Sequence, residues 1–235
     1  MKIEIWSDVM CPFCYIGKRH FEEALSKFDN QNQLEIEWKS FLLDPTIPAN
    51  STENQIDYLV QRKGMSREQV ATMLANITQM AKDAGLNFDF EKIITANSTQ
   101  AHRLIQFAKT KGLADELKER LFEAYFTDGK NIADPKILTE LGVEIGLDKE
   151  ELQNAFDDEI YLYQMKQDIQ EAQNIGVRGV PFFVFDRKYG ISGAQPAEVF
   201  LETLEKSFGE WKEKNPSIEL QNSKGFSCDI NGNCD

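Results

Sequence analysis

Cys11-Pro12-Phe13-Cys14 stands where an alternating apolar run through Ile3 and Ile5, followed by Trp6, gives way to a helical pattern. Two cysteines separated by two residues, at the junction of a strand and a helix, are the arrangement that dithiol redox chemistry needs. Cys11 falls on the cap position of the expected helix. Free backbone N–H groups and the positive end of the helix dipole there favour a thiolate, so the sequence predicts Cys11 to be an ionised, accessible nucleophile. Pro12 suits the first turn, because its missing N–H would be unpartnered there anyway. Cys14 lies one turn further in, placed to attack a mixed disulfide on Cys11 and release the product. A lone CxxC also fits half of a zinc site, a structural disulfide, or chance. Gly17, Phe21, Leu25 and Phe28 recur three or four apart after Cys14, which makes one buried helical face starting at the second cysteine. No second ligand pair lies close by, which counts against a zinc knuckle, and no metal site is expected.

The 235 residues can bury a full core and are long for one small α/β domain, so an insertion is expected. With 26 basic against 39 acidic side chains the formal charge is −13. Such a surface repels phosphate backbones and disfavours nucleic-acid binding. No apolar run approaches the roughly 20 residues of a membrane helix, and the strand pattern starts at once without a signal-like segment, so a cytoplasmic protein is expected. The sequons at Asn50, Asn76 and Asn97 are read as chance matches. The four cysteines form two close pairs, Cys11/Cys14 and Cys228/Cys234. In a reducing compartment that distribution favours redox or metal chemistry over a stabilising framework.

Leu34, Ile36 and Trp38 alternate with acidic and basic residues, which predicts a second half-buried strand ended by Pro45 and Pro48. Helical periodicity then takes over to about Asn174. Ser66-Arg67-Glu68-Gln69 is a capping box before an apolar face of Val70, Met73, Leu74, Ile77 and Met80. Helices follow from Asn97, from Glu116 and from Asp134-Pro135, and Asp148 caps one that carries Leu152, Phe156 and then Ile160. The sheet resumes at Val180-Pro181-Phe182-Phe183-Val184-Phe185. Asp186-Arg187-Lys188 turns it into Tyr189-Gly190-Ile191-Ser192, and Pro196 opens a last helix. The fold expected is α/β, thioredoxin-like, with a large all-helical insertion. Residues 1–50 and 175–212 form the thioredoxin-like part, 51–174 the insertion, and 213–235 a tail.

Four blocks together resemble the FrnE-like branch of the DsbA family of thioredoxin-fold oxidoreductases: Ser7 to Gly17 around the motif, Ala101-His102-Arg103-Leu104, Leu121 to Phe126, and Gly179-Val180-Pro181-Phe182-Phe183. The resemblance implies dithiol–disulfide exchange at the CxxC, with protein disulfides or thiols as partners and no bound cofactor. Related isomerases of 2-hydroxychromene-2-carboxylate and kappa-class glutathione transferases use glutathione, which is kept here as a possible co-substrate. Those relatives often carry serine at the first motif position, whereas this chain keeps both cysteines. Phe13 stands where tryptophan is usual in the branch. The resemblance also implies a cis Val180-Pro181 peptide facing the motif, although only about 5–6% of X-Pro bonds are cis. Val180 and Pro181, with Pro12 and Phe13, are then the expected substrate contacts, through the Val180 backbone.

The uncharged Pro12-Phe13 dipeptide points to a redox potential of about −200 to −230 mV rather than the strongly oxidising extreme near −120 mV. His20 is read as an exposed helix residue. His102 is read as a hydrogen-bonded packing residue, or, with Arg103, as a contact between the insertion and the active-site rim. Trp6 and Asp8 are expected beside the motif, Asp8 as a candidate base. Cys228 and Cys234 form a relay or regulatory disulfide, join Cys11 and Cys14 around zinc, or close a local loop at Asn231-Gly232. Some 17 residues from Trp211 to Cys228 span roughly 55 Å at full extension, enough to reach Cys11. The Asn-Gly turn favours the local loop. A glutathione-dependent isomerase or transferase and a zinc-binding interaction protein are the competing functions, and a monomer or weak homodimer is expected.

Overall fold

Strand β1 (Lys2–Ser7) is the centre of the molecule, a computed structural model in which residues 1–216 are described. Cys228 and Cys234 lie outside the described residues. β1 sends Ile3 and Ile5 to one face and Trp6 to the other, and all three are buried. β2 (Glu35–Ser40) pairs with it in parallel, Lys2 opposite Glu35 through Ser7 opposite Ser40. Helix α1 (Pro12–Ser26) is the crossover between them. On the other side β3 (Phe182–Phe185) runs antiparallel to β1 and turns into β4 (Tyr189–Ser192), giving the order β2-β1-β3-β4. Asp186 and Arg187 hold the tight turn with φ of 47° and 55°, the left-handed pair that suits the twist of a hairpin.

Seven helices separate β2 from β3: α2 (Gln55–Lys63), α3 (Arg67–Asp83), α4 (Thr99–Thr110), α5 (Ala114–Phe126), α6 (Pro135–Glu144), α7 (Lys149–Asp157) and α8 (Glu159–Asn174). The last, α9 (Ala197–Lys214), packs beside α1 on the Ile3/Ile5 face. Phe200 of α9, Phe183 of β3 and Phe21 of α1 meet edge-on or tilted there, with ring centroids 4.6 to 5.7 Å apart. The capping box forms as read: Ser66 accepts from the Gln69 N–H at 3.2 Å, and the Gln69 side chain accepts from the Ser66 N–H at 2.8 Å.

Two expectations at this level are corrected. The helix carrying Leu152 and Phe156 does not run on to Ile160. Asp158 is extended (φ −72°, ψ 112°), and its carboxylate accepts the Ile160 N–H at 2.9 Å, so a second cap starts α8 and leaves Ile160 exposed. Ile36 is not inward either. It lies on the outer edge strand and is 40% exposed, while Trp38 is buried two residues on.

Helix α8 covers the face opposite α1. Ala172 and Val177 pack there on Trp6 and Val184, and the Trp6 indole donates to the Asp168 carbonyl at 2.9 Å. Trp6 therefore turns away from the CxxC instead of lining it. The Asp168 carboxylate fastens the insertion to the sheet: one oxygen accepts from the Ser40 N–H at 2.9 Å and the Gln106 amide at 2.6 Å, while Lys39 lies 3.3 Å from the other. Removing it strands a buried N–H and leaves the Lys39 charge with fewer partners. Asp168→Ala is expected to lower stability by about 3 kcal/mol in urea unfolding, with an unchanged denaturant slope.

Candidate active site

Cys11 caps α1 with extended backbone (φ −89°, ψ 112°), and Pro12 follows at the first helical position, as read from sequence. The turn is closed by the Cys11 N–H to the Asp8 carbonyl (3.1 Å) and the Cys14 N–H to the Cys11 carbonyl (3.0 Å). Cys14 is sealed under this turn, and Phe13 stands outward, 37% exposed.

The Cys11 sulfur departs from expectation. The Cys11 residue is only 4% exposed, and its thiol donates to the Val180 carbonyl across a 3.4 Å gap. The hydrogen bond with the Cys14 sulfur and then burial push the Cys11 thiol well up, with the Asp8 charge adding to the effect. Only the Cys14 N–H opposes them. The accessible sulfur expected is thus corrected to a buried one, and the start of the helix is offset by a neighbouring carbonyl and a second sulfur.

The Val180-Pro181 peptide is cis. Gly17 lets α1 approach it closely: a Cβ at that position would sit 3.1 Å from Pro181 Cγ and 3.5 Å from Ala194. The Gly193 N–H fixes the Pro181 carbonyl at 2.8 Å, which holds the loop against β4.

Asp8 is completely buried beneath the motif. Its Oδ1 accepts from Ser98 Oγ (2.7 Å), the Met10 N–H (3.3 Å) and His102 Nε2 (3.3 Å), and its Oδ2 from the Leu43 N–H (2.7 Å). Burial works against the charge, but the bonds from His102, Leu43 and Ser98 outweigh it and keep the carboxyl below its ordinary range. Burial likewise lowers His102, against the pull of Asp8, so the imidazole is neutral and donates from Nε2. His102 therefore joins α4 of the insertion to the loop that carries the motif. Arg103 points elsewhere and donates to the Asp158 carbonyl at 2.9 Å. His20 is half-buried, its Nδ1 2.8 Å from the Gln195 carbonyl.

Beside Phe13 an open cleft of about 540 Å³ runs along α3, lined by Thr72, Met73, Asn76, Ile77 and Met80. Met80, read as part of an inward face, is 40% exposed here and forms part of the cleft.

Lys118 on α5 was not singled out from the sequence. It is 1% exposed, its Nζ 3.5 Å from the Ser7 carbonyl, 5.1 Å above the Phe122 ring and 5.6 Å above that of Trp38. Among the described residues no carboxylate lies within 4.0 Å of it. The signal was present: Lys118 interrupts the apolar stripe of Leu117, Leu121, Phe122 and Tyr125.

The family follows from this geometry. A cysteine pair at the first turn of the crossover helix, opposite a cis proline before the antiparallel strand, is a thioredoxin-like arrangement, and the family model for the DSBA-like thioredoxin domain matches residues 2–205. The chain belongs to that family. It is 30% identical over 209 residues to the uncharacterised protein YwbO of Bacillus subtilis strain 168, covering 86% of this chain and 94% of that one. The crystal structure of a probable DsbA oxidoreductase, SCO1869 from Streptomyces coelicolor, superimposes with a TM-score of 0.85 at 35% identity, over 100% of this chain and 98% of that one. The cytosolic disulfide reductase DsbM from Pseudomonas aeruginosa shares the fold at 16% identity, with a TM-score of 0.60 over 92% of this chain and 98% of its own. Among the described residues no cluster of potential metal ligands forms, and no helix is long and apolar enough to cross a membrane.

Burial pushes the Lys118 ammonium down to about 8, against the opposing pull of Cys14, Asp8 and Cys11. Because the folded value lies below the ordinary 10.5, the unfolded chain holds more protons between them. The Lys118 contribution to stability is therefore unfavourable below pH 8 and recovers as pH rises through that window. Lys118→Met is expected to be more stable than the wild type near neutral pH by about 1–3 kcal/mol, with the gap closing toward pH 10.5; thermal unfolding of both across pH checks it.

Proposed function

We propose that this chain is a thiol–disulfide oxidoreductase that works through Cys11 and Cys14 on disulfide- or thiol-bearing proteins. The observation that carries the reading is the 3.4 Å approach of the Cys11 sulfur to the Val180 carbonyl, beside Pro181 and above Cys14. An incoming disulfide that takes the place of this internal bond lies along the Val180 backbone, next to the apolar cleft at Phe13. Cys11, once deprotonated, attacks one substrate sulfur; the substrate S–S bond breaks and the first thiolate leaves with the electron pair. Cys14 then attacks Cys11, the mixed disulfide breaks, and the second substrate thiolate departs. The substrate gains two electrons and the enzyme is left as the Cys11–Cys14 disulfide. Backbone recognition makes selectivity for client sequence weak.

The same geometry bears on direction. A Cys11 thiol held up by Cys14 and by burial leaves the reduced form without a stabilised thiolate. Such a couple lies toward the reducing side, at or below the −200 to −230 mV expected from Pro12-Phe13 alone. The reading is thus a reductase or isomerase in a reducing compartment such as the cytoplasm, recharged by a small thiol of the glutathione class. Equilibration with glutathione redox buffers measures the potential, and a value near −120 mV would overturn the assigned direction. Cys11→Ser is expected to abolish catalysed reduction of a protein disulfide, and Cys14→Ser to accumulate a mixed disulfide visible by non-reducing electrophoresis. Full turnover by Cys14→Ser with glutathione would instead support a glutathione-dependent transferase or isomerase.

A further inference from the structure

Strand β2 closes the sheet on one side, and its outer edge is open over part of its length. The Glu35 N–H donates to the Met1 carbonyl at 2.9 Å, so in the parallel ladder Glu35, Glu37 and Lys39 turn their amides and carbonyls toward β1, whereas Ile36, Trp38 and Ser40 turn theirs outward. The Ser40 N–H is taken up by Asp168 at 2.9 Å. Among the described residues nothing pairs with the backbone N–H and C=O groups of Ile36 and Trp38. A cleft of about 570 Å³ runs beside these two residues, bounded by Phe21 and Leu25 of α1, Ile36 and Trp38 of β2, and Ala114 and Asp115 at the start of α5. The charge around it is one-sided. Glu35 and Asp115 are 73% and 59% exposed, while the lysines that line the cleft are already engaged: Lys18 is buried among Glu22, Asp115 and Glu119, and Lys109 lies 3.3 Å from Glu37 and 3.5 Å from Asp168. Lys2 is 3.9 Å from Glu35 but 2.6 Å from Glu37. Solvent therefore meets carboxylates at the rim and apolar surface below them.

We infer that this edge is a docking site for an extended, basic segment of a partner protein, which adds a strand outside β2. The inference is independent of the oxidoreductase reading. Outward N–H and C=O groups on alternate residues repeat at strand spacing, an array that a second strand satisfies and a compact small molecule does not. A backbone laid along Ile36 and Trp38 brings partners to all four groups. Ile36 and Trp38 share the face of their ladder partners Ile3 and Ile5, so every second side chain of the incoming strand falls on the α1 side, over Phe21 and Leu25, and is apolar there. Lysine or arginine at the remaining positions meets Glu35 and Asp115. A second copy of this chain fits less well, because its own β2 brings Glu35 and Glu37 to the same rim and each copy carries a formal charge of −13. Ile36 lies beside Ile3, which precedes the end of β1 at Ser7 by about 13 Å of strand. A segment docked there lies away from the Cys11 sulfur.

The test titrates the full chain with a fluorescein-labelled decapeptide that alternates valine with lysine, followed by anisotropy, and reads amide hydrogen exchange at Ile36 and Trp38 by NMR. The peptide is expected to bind saturably, to slow exchange at both amides, and to bind about ten-fold or more tightly than the same peptide with glutamate in place of lysine. Full N-methylation removes every N–H of the peptide and keeps its charge, and it should weaken binding about ten-fold or more. Ile36→Pro deletes an outward N–H without touching the β1 ladder, at an edge position that admits proline, and should weaken binding about ten-fold with an unchanged circular dichroism spectrum. Glu35→Lys should weaken it about three-fold or more at low salt, with the difference shrinking as salt rises. Absence of binding, or equal binding of the plain, N-methylated and glutamate peptides, overturns the inference. Slow exchange at Ile36 and Trp38 in the peptide-free chain overturns it too, giving the edge to a second copy if the protection grows with protein concentration and to residues 217–235 of the same chain if it does not. If Ile36→Pro fails to fold, Glu35→Lys and the N-methylated peptide decide the question, with the same consequences.

Discussion

The buried carboxylate of Asp8 is the constraint on which the active-site architecture depends. Its four donors come from the motif loop (Met10), from the segment after β2 (Leu43) and from the start of the helix that carries Ser98 and His102. The parallel pairing of β1 with β2 brings the first two segments side by side, and Asp8 ties the third, from the insertion, to both. An ionised group that accepts four hydrogen bonds is worth more in a dry interior than the same bonds in water, and leaving any donor without it is expensive. The charge thus registers the insertion against the thioredoxin sheet and fixes where the first turn of α1 begins.

That same charge shapes the chemistry above it. A negative group beneath a dithiol disfavours a thiolate, and the structure adds burial and a carbonyl acceptor on the Cys11 sulfur. A dithiol whose thiolate is not stabilised gives up its electrons more readily in forming the disulfide. Lys118 of the insertion brings a buried amine to the Ser7 carbonyl, where β1 leads into the motif loop. The helical block thus reaches the motif loop through Ser98 and His102, which bond Asp8, and through Lys118 at the Ser7 carbonyl.

The apolar side chains of the two parts divide the remaining work. Phe21, Phe183 and Phe200 hold α1 and α9 on one face of the sheet. Trp6 and Asp168 lock α8 to the other. Between them Gly17 leaves room for Pro181, and the Val180 carbonyl is held 3.4 Å from the Cys11 sulfur.

What the sequence determined by itself was local. The cysteine at a cap position with proline after it, the Ser66–Gln69 capping box, and the turn at Asp186 and Arg187 are decided within a few residues by backbone sterics and short hydrogen bonds. The family blocks added the proline opposite the motif. Other features depended on distant partners. The break at Asp158, the outward turn of Ile36 and the burial of Trp6 under α8 follow from where helices land on the sheet. The upward push on the Cys11 thiol and the downward push on the Lys118 ammonium follow from which groups surround them once water is gone. Periodicity reports which face of an element is apolar, whereas ionisation depends on the sum of long-range fields and lost hydration, and that sum exists only after the chain has folded.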